Sequence, residues 1–438
     1  MKTLRSIAVL IVFIVLTLFS TEFARDKQMD KIARSYVKLV LNLGQYDDGY
    51  VDAYYGPENL KPNAISEKEK SSFPFKKFHD EAERLLEALK KVPKGSLTEI
   101  EKLRLEFLHA QVSAVKARIE ILNGKKMSFD EESKALYQAV SPVHNKEYFE
   151  SQLKAIDSLL PGNGSIAERY ETFRKGLIIP KDKLNAVFTA AIEECRRRTL
   201  EHVKLPKKEN FKVEYVTDKP WGAYNWYKGN AFSLIEVNTE LPIYIDQPLG
   251  LASHEGYPGH HVYNALLEED LSKGRGWLEF TVYPLYSPQS LIAEGSANFG
   301  IDMIFPGDER LIFEKKVLYP LAGLDTSKAD TYYRLGELIN NLQYSMTEAA
   351  RSYLDGKLTK QETVDWLMKY NLQSKERAER SLRFIEHYRS YVINYTLGQD
   401  IIRNYVEKHG GTVDNQKKRW EIFTRILSTP QTPQGLMM

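Results

Sequence analysis

Apolar positions recur at helical spacing through most of the first half of the chain. Ile32, Tyr36, Leu39, Val40 and Leu43 fall on one helical face. Leu85, Leu86, Leu89, Leu103, Leu105, Leu108, Val112 and Val115 predict a long helical hairpin that breaks near Pro93-Lys94-Gly95. A second helical pair brackets Pro161-Gly162-Asn163-Gly164. The stretch Tyr50-Val51-Asp52-Ala53-Tyr54-Tyr55-Gly56-Pro57 interrupts this layer as a polar aromatic loop. It reads either as aromatic packing beneath a turn or as a loop that faces a substrate. Between residues 211 and 246 the period shortens. Phe211–Val216 alternates, Phe232–Asn238 does so loosely, and Pro242–Asp246 follows after a short break, so all three read as strands. After residue 285 the pattern is helical again to about Lys408, and Ser428–Met438, with two Pro and one Gly, reads as a loose tail. The fold class expected is mainly α with a small β-sheet: a helical N-terminal region at 25–205, then a second region at 206–427.

Composition narrows the chemistry. The 438 residues are 42% hydrophobic and 27% charged, enough to bury a large core. Lys+Arg is 61 and Asp+Glu is 59, a balance that gives no electrostatic reason to expect a nucleic-acid partner. The single cysteine, Cys195, excludes an internal disulfide and a thiolate-rich metal site. Any metal must be held by histidines and carboxylates, and three of the nine histidines fall in one motif.

Lys2 and Arg5 precede an apolar run from Ile7 to Phe19, too short to span a bilayer comfortably and of signal-peptide length. Residues 1–24 are therefore expected to be a signal peptide or, if uncleaved, an anchor. Ala24 is the candidate last residue, although Glu22 fits such a cleavage site poorly. No cysteine follows the run closely, which excludes a lipid anchor there. The expected location is periplasmic or secreted, with membrane contact only through an uncleaved N-terminus.

The motif is His254-Glu255-Gly256-Tyr257-Pro258-Gly259-His260-His261. A His-Glu pair followed within two turns by histidines is how a helix presents ligands to zinc, with the Glu beside the metal as proton acceptor. The usual HExxH spacing is missing, because Pro258 stands four residues after His254. On a straight helix of about 100° per residue, His260 points to the wrong face. His261 has the right face but lies roughly 10 Å along the axis. Pro258 clashes with the carbonyl four residues back, that of His254, and Gly256 and Gly259 loosen the same turn. A bulged or broken turn at Tyr257-Pro258-Gly259 is expected to carry His260 back to the metal. His260 is then the second ligand and His261 a transition-state group, or the two are exchanged. The third ligand expected is Glu294, because a carboxylate in an apolar, small-residue helix needs a partner. The rival acids Glu268, Glu269 and Asp270 form a charge run that reads as a solvated face. Asn298, one turn after Glu294, is placed to accept from the free ring N–H of His254.

At these residues the chain resembles a large, mostly bacterial family of unknown function. Its signature is HExxPGHH followed by EGxA, and it is grouped by similarity with the thermolysin-like zinc peptidases, the gluzincins. His254, Glu255, Pro258, Gly259, His260 and His261 match the first motif. Glu294, Gly295 and Ala297 match the second, with Ser296 where many members carry Trp. Tyr391-Val392-Ile393-Asn394-Tyr395-Thr396-Leu397-Gly398 is similar to the family's C-terminal Tyr-containing segment. The resemblance implies a zincin-like metallohydrolase core wrapped by helices, but no substrate. Dipeptidyl peptidase III offers a looser analogy, since its HExxxH also stretches the spacing.

The expected function is a zinc-dependent hydrolase holding one Zn2+ and acting on a peptide or small amide. Glu255 would be the general base, with Tyr395, Arg389 and His261 as candidates to stabilise the oxyanion. The rivals are an amidase or esterase on a non-peptide substrate and a binding protein that holds metal without turnover.

Overall fold

The computed structural model describes residues 27–438 except 96 and 220; the predicted leader at 1–24 lies outside them. The described residues are mainly helical with two small sheets. Helix α1 (27–43) buries the apolar face read from its spacing. Strand β1 (Val51–Tyr54) follows, then the predicted hairpin of α2 (Phe75–Lys90) and α3 (Glu99–Leu122). Helix α3 opens with a capping box, in which Thr98 and Glu101 each satisfy the other's backbone N–H. Helices α4 (Phe129–Tyr137) and α5 (Leu184–Leu200) continue the layer.

A three-stranded sheet comes next, made of β2 (Asn210–Val216), β3 (Ala223–Gly229) and β4 (Phe232–Asn238). Its order is β2-β4-β3, with β2 parallel and β3 antiparallel to the central β4. Strand β3 is not predicted by the pattern, because its Ala-Tyr-Asn-Trp-Tyr-Lys-Gly run is a half-exposed edge strand without clean alternation. The strand expected at 242–246 is absent, and there only Tyr244 makes an isolated bridge, to Ile178. The β3–β4 turn needs positive φ at Asn230 and Ala231, 56° and 52°. It is held by Glu268, whose carboxylate accepts from both backbone N–H groups at 2.9 and 3.0 Å and from Tyr227 Oη. Glu268 is thus buried, not part of a solvated face.

The site helix α6 (Gln247–Leu251) runs on as one π-helical turn, Ala252–Gly256, and after a break α7 (His260–Leu267) begins. Strand β5 (Val282–Pro284) pairs antiparallel with β1 (Ala53 opposite Tyr283), so what read as an aromatic loop is a strand tied to the second region. Helix α8 (Pro288–Ile304) carries Glu294. Beyond it run α9 (Lys375–Tyr388), α10 (Ile393–Lys408) and α11 (Gln416–Ser428). The expected loose tail is corrected: Pro433–Met437 is helical and buries Pro433 and Leu436. No helix among the described residues is long and apolar enough to cross a membrane.

Two close approaches fix the site's frame. A Cβ on Gly295 of α8 would fall 2.3 Å from the backbone carbon of Gly398 of α10, so the two helices touch backbone to backbone there. Deep in the first layer, Arg104 of α3 (1% exposed) donates to Glu279 (0%) at 2.6 and 3.1 Å, and its guanidinium lies over the Trp277 ring. This pair ties the helical hairpin to the segment that leads into β5. Asp30, the other partner of Arg104 at 2.9 Å, is half exposed. Removing one member of such a pair strands the other. Glu279→Ala is therefore expected to cost about 3–5 kcal/mol in denaturant unfolding, and a loss under about 1 kcal/mol would show that the pair does not hold the layers together.

Candidate metal centre

The break between α6 and α7 is a true interruption. The π turn closes with Tyr257 N–H donating to Ala252 O at 3.0 Å, five residues back. Tyr257 is extended, the Tyr257–Pro258 bond is cis, and Gly259 N–H donates to Ser253 O at 2.9 Å. A Cβ on Gly259 would stand 1.9 Å from His254 O and 2.5 Å from Ser253 O, so only glycine lets the chain fold back here. Pro258 packs against Gly300 of α8, where a Cβ would meet its ring at 3.2 Å. The next helix then starts at His260, one position past this contact, and its ring faces His254.

His254 Nε2 and His260 Nε2 are 3.1 Å apart. Glu294 Oε2 lies 3.4 Å from the first and 3.7 Å from the second. Ligands about 2.0–2.1 Å from a tetrahedral ion are separated by about 3.3 Å, so this triangle has the size of one face of a zinc site. Glu294 Oε2 is buried without a hydrogen-bond partner, while Oε1 accepts from Tyr391 Oη at 2.9 Å. Asn298 Nδ2 donates to Tyr395 O at 2.9 Å, which leaves Asn298 Oδ1 to accept from His254 Nδ1 at 2.9 Å. That fixes the tautomer with the lone pair on Nε2, aimed at the other two donors. Two imidazole nitrogens 3.1 Å apart need a proton or a cation between them.

The electrostatics agree. Burial works against a charged His254, but Glu294, Glu255 and Asn298 outweigh it and hold the pKa at about 9. Burial would raise the Glu294 carboxyl, yet His260 and His254 keep it well below the usual carboxylate range. Glu255 differs: burial pushes its pKa up, and the two histidines only partly offset that. The ligand atoms of His254, Glu255 and His260 all lie within 4.8 Å of one another, so Glu255 adjoins the same point. The unsatisfied Oε2 makes Glu294 a better candidate than Glu255 for a third ligand.

A cleft of about 880 Å³ opens onto these groups. Tyr395 lines it, with a phenol that burial and then Glu294 and Glu255 keep firmly protonated. Asp52 and Ala53 of β1 and Tyr224 and Asn225 of β3 form another wall. Tyr224 Oη donates to Asp52 Oδ1, and Asn225 Nδ2 donates to Glu255 O at 2.6 Å. Within the 50–57 stretch Tyr50 is buried and stacked on Tyr286, while Asp52 lines the cleft.

Two expected site residues are corrected. His261 is fully buried on the far side of α7. Its Nδ1 faces Ser233 Oγ at 2.9 Å and its Nε2 faces Glu209 Oε2 at 3.1 Å. Because the helix restarts at His260, neighbouring residues point about 100° apart, and His261 is turned into the sheet. Arg389 is held at the α9–α10 corner, where its Nε donates to Glu132 Oε2 at 2.8 Å. It does not line the cleft. Tyr391, Asp52 and Asn225 were not foreseen as site residues. Tyr391 lay within a recognised segment and Asp52 within a stretch singled out, but only the fold shows where their polar atoms point.

No protein-family profile and no curated protein matches the chain. Among solved structures, one described as a "putative lipoprotein", from Colwellia psychrerythraea, superposes with a TM-score of 0.52 at 15% identity, over 82% of this chain and 65% of that one. The chain thus spans less than two thirds of that protein, and the likeness is one of fold. A second structure so described, of unknown function and from Shewanella oneidensis, gives a TM-score of 0.40 at 14% identity over 81% and 72%. A structure called CHT gives 0.45 at 12% over 95% and 93%.

The geometry separates the two adjacent histidines. His254→Ala and Glu294→Ala should each lose most bound zinc, and Asn298→Ala should weaken zinc about 10–100-fold. His261→Ala should keep the zinc and instead lower the melting temperature, because Glu209 and Ser233 lose a buried partner. Zinc content by elemental analysis beside thermal melts decides it; zinc loss in the folded His261 variant would refute the assignment.

Proposed function

We propose that the protein is a zinc-dependent hydrolase, most simply a peptidase, with a zincin-like centre. The observation that carries this reading is the triangle of His254, His260 and Glu294 donor atoms beside an unligated Glu255 in a large cleft. His254, His260 and Glu294 would hold the ion, and Asn298 and Tyr391 would orient two of those ligands. When bound, zinc supplies a Lewis acid that polarises a carbonyl and acidifies water.

The chain's own groups account for the rest. Glu255 takes a proton from water, whose oxygen bonds to the scissile carbonyl carbon. The C–N bond breaks, and Glu255 delivers that proton to the departing nitrogen. Burial, which raises the Glu255 pKa, suits a group that must both accept and return a proton. Tyr395, held neutral, is the one of the three expected oxyanion donors that lines the cleft, since His261 and Arg389 do not. Edge strand β3 flanks the motif and offers backbone groups to an extended peptide, which favours a peptide over another amide or ester. The signal-like run at 1–24 and the lipoprotein description of the Colwellia neighbour support work outside the cytoplasm.

Glu255→Gln keeps the shape and removes the base. Zinc content and thermal stability should stay near wild type, while hydrolysis of a pooled peptide digest, read by mass spectrometry, should fall by at least about a hundredfold. Loss of the zinc would make Glu255 a ligand. Turnover equal to wild type would move the chemistry elsewhere, and a wild type that holds zinc but cuts nothing would favour the binding-protein reading.

A further inference from the structure

Several buried carboxylates among the described residues are matched to cations. Glu279 faces Arg104 at 2.6 Å, Asp47 faces Arg118 at 2.7 Å, Glu314 faces Arg310 at 2.8 Å and Glu209 faces Arg196 at 2.6 Å. Asp52, partly exposed, has no such partner. It stands on the cleft wall with one hydrogen bond, from Tyr224 Oη, and forms no ion pair with any described lysine, arginine or histidine. Burial raises the pKa of this carboxyl, and a cation from a ligand would favour its charged form again.

A second, independent feature points the same way. Asn225, also on the cleft wall, gives its Nδ2 to Glu255 O, so its orientation is set and Oδ1 can only accept. That Oδ1 is buried and has no donor among the described residues. β1 and β3 thus offer the cleft two acceptors that lack a donor. An ammonium brings three N–H donors to such acceptors.

We propose that Asp52, assisted by the Asn225 carboxamide, receives the free α-ammonium of the substrate, so that the cleft selects peptide N-termini and the enzyme trims peptides from that end. This rests on the hydrolase reading above. The ammonium is bound and not consumed. Water adds across the first accessible C–N bond, its oxygen to the carbonyl carbon and a proton through Glu255 to the departing nitrogen, and the N-terminal fragment leaves with its amine unchanged. Asp52 is a specificity residue, and Tyr224 is the group that positions it.

The test uses the zinc-loaded full chain carrying Glu255→Gln, so that peptides bind without being cut. A tetrapeptide with a free N-terminus and its N-acetylated twin are titrated by calorimetry, with and without Asp52→Asn. Both are then offered to protein with Glu255 intact. The free-amine peptide should bind at least about tenfold tighter than the acetylated one, as fits a charge-assisted contact. Asp52→Asn should collapse that preference to within about twofold. Equal binding of the two peptides overturns the proposal, as does a parallel loss for both in Asp52→Asn, which would make Asp52 only a strap between β1 and β3. A second equivalent of zinc that disappears with Asp52→Asn overturns it too, because the cation would then be a metal, and so does failure of both peptides to bind. Asp52-dependent preference without cleavage by the intact protein would leave the ammonium site standing and sink the hydrolase reading, the trimming with it. Equal cleavage of both peptides would do the reverse.

Discussion

The site depends on one steric fact: at Gly259 the chain passes so close to the carbonyls of Ser253 and His254 that no side chain fits. The π turn, Tyr257 in extended conformation and the restart of helix at His260 all bring the backbone to that contact. The six-residue step from His254 to His260 would place the two rings on different faces of a straight helix. With the helix ended at Gly256 and begun again at His260, their Nε2 atoms come within 3.1 Å. The proline reinforces the arrangement by packing on Gly300, so the broken motif is locked against α8, the helix that carries Glu294.

A second backbone contact does comparable work on the other side. Where Gly295 meets Gly398, α8 and α10 approach without side chains between them. This brings the Tyr395 carbonyl to Asn298 and the Tyr391 hydroxyl to Glu294. The small residues of the EGxA segment and the glycine ending the Tyr-containing segment are therefore two halves of one crossing, and the orientation of His254 and Glu294 follows from it. Farther out, the buried Arg104–Glu279 pair and the β1–β5 ladder bind the first helical layer to the site and set Asp52 on the cleft wall.

Much of this was legible in the residues, and what was not has identifiable causes. The apolar face of α1, the hairpin broken at Pro93-Lys94-Gly95 and the interruption at Tyr257-Pro258-Gly259 follow from periodicity and from what proline and glycine do to a backbone. Asn298 as the acceptor from His254 follows from its place one turn after Glu294. His261 was misread because the phase of a new helix depends on where it starts, and that start is set by packing at Gly259, not by local spacing. Arg389 was misread because a cation close in sequence to cleft tyrosines was free to turn away, and Glu132, 257 residues distant, holds it there. β3 escaped notice because an edge strand need not alternate, and Glu268 because its burial comes from capping a turn of β3 and β4.

The cleft brings these threads together. One wall carries the three donors and Glu255, another the acceptors Asp52 and Asn225. The central claim is that two imidazoles from either side of the broken turn, and only two, share one ion with Glu294. Zinc K-edge X-ray absorption on the zinc-loaded full chain measures this most directly. The account predicts one zinc per chain with two imidazole rings and oxygen ligands at about 2.0–2.1 Å. A first shell with one imidazole or with three, or zinc bound only weakly and without a defined shell, would contradict it.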